Sequence, residues 1–553
     1  MQLDVMLGGS TYWFFPEAER FQTDGMPFDR LGVAAWDHPL YVMLGQVFVL
    51  LPFGEPTYRI NLMSAVAGSL AIALVFRLGE HLSSNRWAAL LGALALAVSH
   101  TFWFHSVTSE AYTLNIVFMV SLIWLALRWT RERRWSQLAA FCFLAGLGLA
   151  NHLMLAITIL PLIAFIAIQL LGPPTAFPAR AGRRLARLLD RRSEAFPWRR
   201  AGMLIGWFLL GFAPWIVQSI RVARLIGVPL TLQVAIGFPW LGQRWGLDSP
   251  FETLSNLAGY IGWLSYQFTP LGVALGGYGY GQLRRVQPQV ARLLLLIFLT
   301  HIAFSANYSL ADQFNFHLPS YVIFSLAIAC GFARLMRRLE ATWHPPRMRL
   351  AFFLKGPVPL VIVLAPVVLY PLTPSALDSL GITETSLGIN PIGSGARNTF
   401  GYFLSPNKRG DNTAAEFGRS TLRQLDREAL VFTAKPSDQE TYVVLRYAQL
   451  VEGLRPDVHL ELMIFDPLRE ISRAVRVAAR AQMWCRPLYL ASLDTETYPM
   501  DSLQADFEIV PEANLYRLLP RGTKPASVFC PALDARWAAL TPEQLVRRAM
   551  RAP

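Results

Sequence analysis

Between residues 57 and 372 the chain is built from apolar runs long enough to cross a bilayer, and no other feature restricts its fold as strongly. A membrane-crossing helix needs roughly 17 to 25 predominantly apolar residues. Such runs occupy about 57–77, 87–104, 113–129, 136–150, 153–171, 203–221, 257–283, 291–306, 317–336 and 350–372. Composition agrees, with 53% hydrophobic and only 16% charged residues in a chain of 553. The expected fold is therefore mostly α, a polytopic membrane helical bundle of about ten spans.

The loops test that count, because cytoplasmic loops are enriched in Lys and Arg and should alternate with poorer ones. One set carries Arg77 and Arg86; Arg128, Arg131, Arg133 and Arg134; eight arginines between Arg180 and Arg200; Arg284, Arg285 and Arg292; and five between Arg334 and Arg349. The other set is poor in basic residues, and His100–Tyr112 and Asn307–Phe316 have none. Adding or removing one span would put the two sets out of phase. The same dispersal argues against nucleic acid as a partner: a net charge of +13 spread over short loops is not a single basic patch with stacking aromatics. The N-terminal segment and the C-terminal region are expected outside, in a plasma or bacterial inner membrane. An outer N-terminal segment without a preceding span is hard to translocate, so a first helix is expected to precede Met1 or to have been lost.

The outer loops collect the ionisable residues. Asp24, Asp29, Asp37, His38 and Arg59 lie near the first span, followed by His100, His105 and Glu110 in SHTFWFHSVTSEAYTLN. Asn151 and His152 interrupt an apolar stretch, and Asn307, Asp312 and His317 fall in SANYSLADQFNFHLPSY. Ionisable groups near membrane depth are costly and usually face a bundle interior or a wet cavity. Bland readings stand beside each: solvated loop charges for Asp24 and Asp29, aromatic-belt residues for His100 and His105, a helix-terminal acid for Glu110, a lipid headgroup contact for Arg59. No HExxH or CxxC spacing and no Walker loop occurs, and the run GGYGYG reads as a helix-packing surface.

Five strings, LGVAAWDHPLYVMLGQVFVLLPFG, YRINLMSAVAGSLA, SHTFWFHSVTSEAYTLN, GLGLANHLMLAITILP and SANYSLADQFNFHLPSYVIF, together resemble the membrane region of the transmembrane protein 260-like family. That family belongs with the GT-C superfamily of polyprenyl-phosphate-sugar-dependent glycosyltransferases, and its eukaryotic members are protein O-mannosyltransferases. The resemblance covers much of residues 31–330. It implies a GT-C-like bundle that moves a sugar, hexosyl or mannosyl, from a polyprenyl-phosphate carrier to a protein or glycan acceptor on the outer side. Such a reaction needs a general base, usually a carboxylate, and cationic or hydrogen-bonding groups for the leaving phosphate. The implied roles are base or catalytic acid for Asp37, Asp24 or Glu110, donor phosphate contacts for His38, Arg59 and His152, and cavity lining for Asn151, Asn307, Asp312 and His317. The family's Asp-Ser-Gly-Glu-like pattern is reduced here to TDGMPF with Asp24, and its His-Pro-Pro-Gly-like step to AWDHPLY, which keeps His38 and introduces Asp37. Neither a resident cofactor nor a metal ligand set is implied, and a divalent metal requirement stays open. Membrane lipids are the remaining partner.

The expected organisation is an outer segment at 1–56 with a juxtamembrane helix, a multi-span domain at 57–372, a Ser/Gly/Pro/Asn-rich linker or cavity-facing loop at 373–410, and a small α/β domain at 411–553. The last rests on ALVFTA, VHLELM and PLYLAS alternating with TYVVLRYAQLVEGL and LREISRAVRVAARAQM, a pattern expected to give a parallel sheet. Cys485 and Cys530 can pair there if the compartment is oxidising. Arginine-rich AGRRLARLLDRRSEAF reads as an amphipathic helix on anionic lipid. A lipid-linked substrate transporter or flippase, and a non-catalytic membrane scaffold, are the competing functions; transporters of the repeat-built kind show internal symmetry, and no repeat is visible.

Overall fold

The computed structural model describes residues 38–171, 198–225, 250–308, 313–341, 356–382, 399–434, 438–463, 468–495, 498–528 and 530. Asp24, Asp29, Asp37, Asp312 and the arginine-rich stretch 180–195 lie outside them.

Helices fall on all ten apolar runs. Short α1 (Pro39–Val49) precedes α2 (Pro56–Ser83), α3 (Arg86–Ala97), α4 (His100–Val107), α5 (Tyr112–Glu132), α6 (Trp135–Asn151) and α7 (Leu155–Leu171). Then follow α8 (Trp198–Leu225), α9 (Pro250–Val286), α10 (Pro288–Ala306), α11 (Leu318–Ala341), α12 (Pro357–Leu369) and α13 (Thr373–Ser379). By length and composition five of the described helices can cross a membrane, or seven when α3 with α4 and α12 with α13 each count as one bent span. Helices α6 and α7, at 17 residues each, sit at the lower limit for spanning. The molecule is an integral membrane protein with apolar side chains such as Val66, Leu160, Met203, Leu299 and Val368 turned outward, as a lipid-facing surface requires.

Local chemistry sets the ends. Pro56 occupies the first turn of α2, where its missing N–H costs nothing. Asn85 caps α3 by accepting from the Ala88 amide at 2.9 Å. Glycine sets one close crossing: a Cβ on Gly279 would strike the Ala327 carbonyl, and one on Gly331 would strike the Leu275 carbonyl, so α9 and α11 meet backbone to backbone. Gly279 belongs to the GGYGYG run, which therefore has the packing role expected of it.

Among the described residues three helical stretches are broken. The chain bends by 67° between α3 and α4 and by 58° between α12 and α13. Inside α9, Thr269 takes φ 61° and ψ 159°, outside the helical region, immediately before Pro270. Proline disfavours the helical conformation of its predecessor, and positive φ is strained for a β-branched residue. Hydropathy read 257–283 as one continuous run because composition does not register a backbone break.

The C-terminal region holds α14 (Thr399–Leu404), α15 (Thr413–Gln424) and a five-stranded sheet. Strands β1 (Leu430–Ala434), β2 (His459–Met463) and β3 (Leu488–Leu490) coincide with the three apolar strings of the sequence. Helix α16 (Gln439–Leu450) joins β1 to β2, α17 (Leu468–Gln482) joins β2 to β3, and α18 (Met500–Asp506) leads into the hairpin β4 (Phe507–Glu512) and β5 (Leu515–Pro520). The order is β2-β1-β3-β5-β4, parallel through β2, β1 and β3 and antiparallel beyond. The sheet is thus mixed rather than parallel throughout. Its hairpin turns on Ala513 and Asn514, both at positive φ, the geometry that suits right-twisted strands; without an Asn-Gly or Asp-Gly pair, the sequence gives little warning of it. Tyr442, Val444 and Leu445 pack on one sheet face and Val475 and Ala479 on the other. Cys485 is disulfide-bonded to Cys530.

Candidate active site

Four histidines from three separate strings form a row. His38, the residue before α1, has φ 52° and directs Nδ1 to the Asn151 carbonyl at 2.7 Å, donating to it. The His38 and His152 rings lie 4.5 Å apart; Tyr112 follows at 5.3 Å from His152, and His105 at 4.5 Å from Tyr112. Phe314 carries the row on, 6.3 Å from His105 and 6.1 Å from His100. His100 and His105 are buried, not at a lipid-facing aromatic belt, because the bend after α3 turns α4 into the bundle.

Glu110 and Asn151 join the His38 end. The Asn151 side-chain amide donates to the Ala111 carbonyl at 3.1 Å, tying the end of α6 to the residue after Glu110. The Glu110 amide lies 3.3 Å from Ser64 Oγ, and the Tyr41 hydroxyl lies 2.8 Å from the same oxygen. Glu110 directly precedes Ala111, the N-cap of α5, the place where an acid suits a helix terminus. Of the sequence candidates, His38, Glu110, Asn151 and His152 are therefore brought together.

Others are not. Arg59 gives its guanidinium to the carbonyls of Val49, Phe53 (2.8 Å) and Gly54 (2.7 Å), closing the turn after α1. That is the far end of an 11-residue helix from His38, about 16 Å away at 1.5 Å per residue. Asn307 pairs with Thr253 at 3.0 Å and with the Ala303 carbonyl at 2.7 Å, fixing the end of α10. His317 shares a 2.8 Å hydrogen bond with Ser305 and stacks edge-on to Tyr260, a network that joins α9, α10 and α11.

Several groups at the site carried no signal in the sequence. Gln267 accepts from the Thr101 amide at 3.0 Å and donates to the Thr101 hydroxyl at 3.1 Å. Tyr370, between α12 and α13, accepts from the His100 amide at 2.8 Å, and its hydroxyl lies 3.3 Å from the Tyr266 carbonyl. The breaks in α3–α4, α9 and α12–α13 thus share one layer, where the His100 and Thr101 amides and the Tyr266 carbonyl each meet a side chain from another break; irregular backbone at membrane depth is tolerated where such partners exist. Asn315 holds His105 Nε2 at 2.9 Å. From the stretch read as linker or cavity-facing loop, Phe403 presents its carbonyl to His100 Nε2 at 2.6 Å and Leu404 presents its own to the Tyr266 hydroxyl at 2.9 Å. Lys408 is buried there, with Nζ on the Tyr402 and Ser405 carbonyls and over the Tyr402 and Phe104 rings. It was legible only as a lone lysine in a polar stretch. Among the described residues no group of three or more His, Cys, Asp or Glu side chains gathers as a metal site.

Residues 37–170 match the family model described as the protein O-mannosyl-transferase TMEM260 N-terminal domain. The resemblance read from the motifs holds over this stretch, which takes in four of the five strings in whole or in part; SANYSLADQFNFHLPSYVIF lies beyond it. That stretch contains His38, Glu110, Asn151, His152, His100 and His105. The chain is 32% identical over 148 residues to the protein O-mannosyl-transferase TMEM260 of Mus musculus, covering 26% of this chain and 21% of that one. It is 25% identical over 142 residues to the Dictyostelium discoideum protein of that name, covering 22% of this chain and 17% of the relative. The match thus spans about a fifth of these relatives' length. Among solved structures, ArnT from Cupriavidus metallidurans bound to undecaprenyl phosphate superposes with a TM-score of 0.50 over 88% of both chains at 14% identity. Its apo state gives 0.50 over 92% of both. At that identity the likeness concerns the fold alone.

Proposed function

We propose that the protein is a GT-C glycosyltransferase that transfers a hexosyl group, by preference mannosyl, from a polyprenyl-phosphate carrier to a protein or glycan hydroxyl on the face opposite its arginine-rich loops. The observation that carries this reading is the convergence of the family-matched motifs on one row of histidines inside a bundle with the fold of ArnT. The name of the TMEM260 relatives supports mannosyl transfer, and the undecaprenyl phosphate held by ArnT supports the lipid carrier.

On this reading a carboxylate, Asp37, Asp24 or Glu110, takes the proton from the acceptor hydroxyl as it attacks the anomeric carbon, and the sugar–phosphate bond breaks toward the carrier. His152, whose Nδ1 accepts from the Met154 amide and which therefore carries its proton on Nε2, would donate to the departing phosphate oxygens; His38, whose Nδ1–H is spent on the Asn151 carbonyl, would do so only when protonated. Asp37 adjoins His38 in sequence, which favours it as the base. The membrane is a plasma or bacterial inner membrane, with the α/β domain on its outer side.

Purified protein in lipid nanodiscs, given radiolabelled mannosyl- and other glycosyl-phosphoryl polyprenols with hydroxyl-bearing acceptors, tests the reading. Transfer is expected with wild type and reduced at least 100-fold by substitution of the base, Asp37→Asn before Asp24→Asn or Glu110→Gln. No transfer and no donor binding across the panel would remove the enzyme reading and favour a flippase or scaffold.

A further inference from the structure

His100 and His105 each spend one ring nitrogen on a protein oxygen. With Nε2 of His100 donating to the Phe403 carbonyl and Nε2 of His105 donating to Asn315 Oδ1, the neutral rings keep their lone pairs on Nδ1. Both Nδ1 atoms are buried and have no hydrogen-bond partner. A buried acceptor without a donor costs stability, and two within a few residues on the same short helix are a standing demand for N–H or O–H donors.

The walls around them are rings. His100 is flanked by Trp263 at 6.0 Å, Tyr266 at 5.4 Å and Phe104 at 6.2 Å, while Phe314 lies against His100 and His105 alike. Aromatic faces beside orphan acceptors suit one class of ligand: a ring with C–H faces to stack and hydroxyls to donate. We propose that His100 and His105 form the subsite for the transferred sugar, taking hydrogen bonds from its hydroxyls at Nδ1. The inference rests on the transferase reading and deepens it by assigning recognition of the sugar, as distinct from the phosphate, to these two side chains.

In this structure the chain itself packs against these rings. Tyr402 and Phe403 of α14 stand against Phe104, 5.8 Å and 6.2 Å away, and the Phe403 carbonyl occupies His100 Nε2. A sugar takes the place of those two rings, with one hydroxyl accepting from His100 Nε2–H in place of the Phe403 carbonyl and a second donating to Nδ1.

The test compares binding of mannosyl-, glucosyl- and N-acetylglucosaminyl-phosphoryl undecaprenol with that of bare undecaprenyl phosphate, using full-length protein in phosphatidylglycerol/phosphatidylethanolamine nanodiscs. His105→Gln keeps a group at the Nε2 position for Asn315 and deletes the Nδ1 acceptor; His105→Asn does the reverse. The same pair is made at His100. Wild type is expected to bind at least one sugar-loaded lipid ten-fold or more tightly than the bare carrier. Each Gln variant should lose most of that preference while holding the bare carrier within two-fold of wild type, and each Asn variant should regain part of it. Wild type that transfers sugar but shows no such preference, or Gln variants that leave the preference intact or weaken both lipids equally, would overturn the subsite and leave the transferase reading standing. Absence of transfer and of any lipid binding by wild type would instead remove both.

Discussion

The membrane bundle and the C-terminal α/β domain handle buried polarity in opposite ways. In the bundle, polar groups at the core interlock as amide, hydroxyl and imidazole pairs, Gln267 with Thr101, Tyr370 with His100, Asn315 with His105, Thr158 with His301, and the cation that reaches them, Lys408, rests on carbonyls and aromatic rings. Ion pairs there, Arg77 with Glu80 and Arg128 with Glu132, are exposed beside the arginine-rich loops. In the α/β domain charges pair at the rim of a two-faced core, Arg476 and Arg480 on Asp506, Arg419 on Glu452 and Arg455 on Asp457. Lipid supplies no water to an unpaired charge, so the bundle builds its polar layer from imidazole, amide and phenol groups; the aqueous domain keeps charge where solvent shares its cost.

The largest effect that can break this contrast lies in the bundle's packing. Gly331→Leu drives a side chain into the α9 backbone at Leu275, and overpacking with no room to relax costs about 3 kcal/mol or more. The expected outcome is loss of monodisperse protein in detergent, read by size-exclusion chromatography, with the same substitution at exposed Gly453 of the α/β domain harmless to the bundle. Survival of Gly331→Leu with an unchanged Tm would show that the two helices do not meet backbone to backbone.

Next comes the polar layer. Gln267→Leu removes two hydrogen bonds and strands the buried Thr101 amide, a loss of about 2 to 3 kcal/mol. Thermal unfolding in nanodiscs should show a lowered Tm. Pairing it with Thr101→Val, which deletes the hydroxyl but not the amide, should cost less than the sum of the two singles. Strict additivity would mean the two residues do not interact.

The smallest effect sharpens the domain side. Glu461, half-buried on edge strand β2, has its carboxyl pushed up to about 7 by burial. Its folded state therefore holds the proton more tightly than the unfolded chain. This stability contribution is complete below the unfolded value near 4.5 and is lost as pH rises toward 7. Glu461→Gln should raise Tm by a few degrees at pH 8, an effect of about 1 to 2 kcal/mol, and leave it nearly unchanged at pH 4.5. A Tm gain equal at both pH values would show that ionisation is not the cause. Asp506 runs the other way, held low chiefly by hydrogen bonding to Arg480, so its contribution is lost at acid pH.

Much of this was legible in the sequence, and the reasons differ by region. Hydropathy located the apolar helices because membrane thickness acts on composition alone, but of the ten runs five, or seven with the bent pairs, are long and apolar enough among the described residues to count as spans. Three strands and two helices of the α/β domain were readable because each is a short apolar string between turn residues. The hairpin was not, since Ala513 and Asn514 carry a turn that usually announces itself with glycine. At the site, Asn151 and His152 stood out as interruptions of an apolar stretch, Glu110 as an acid opening a span, and His38 as an ionisable residue in an outer loop near the first span. Gln267, Tyr370 and Asn315 did not, because a lone amide or phenol in a span looks the same whether or not it finds a partner.

By itself, then, the sequence determined that this chain crosses a membrane many times, which loops stay on the basic side, and that its unusual polar residues gather opposite them. Tertiary structure alone decided that α1 holds Arg59 and His38 at opposite ends, that three spans break at one layer, and that residues 399–408 reach back into the bundle. The physical reason is range. Solvent transfer and charge bias are summed residue by residue along the chain, whereas a hydrogen bond such as that between His100 and Phe403, 303 positions apart, exists only once the packing has brought the two together.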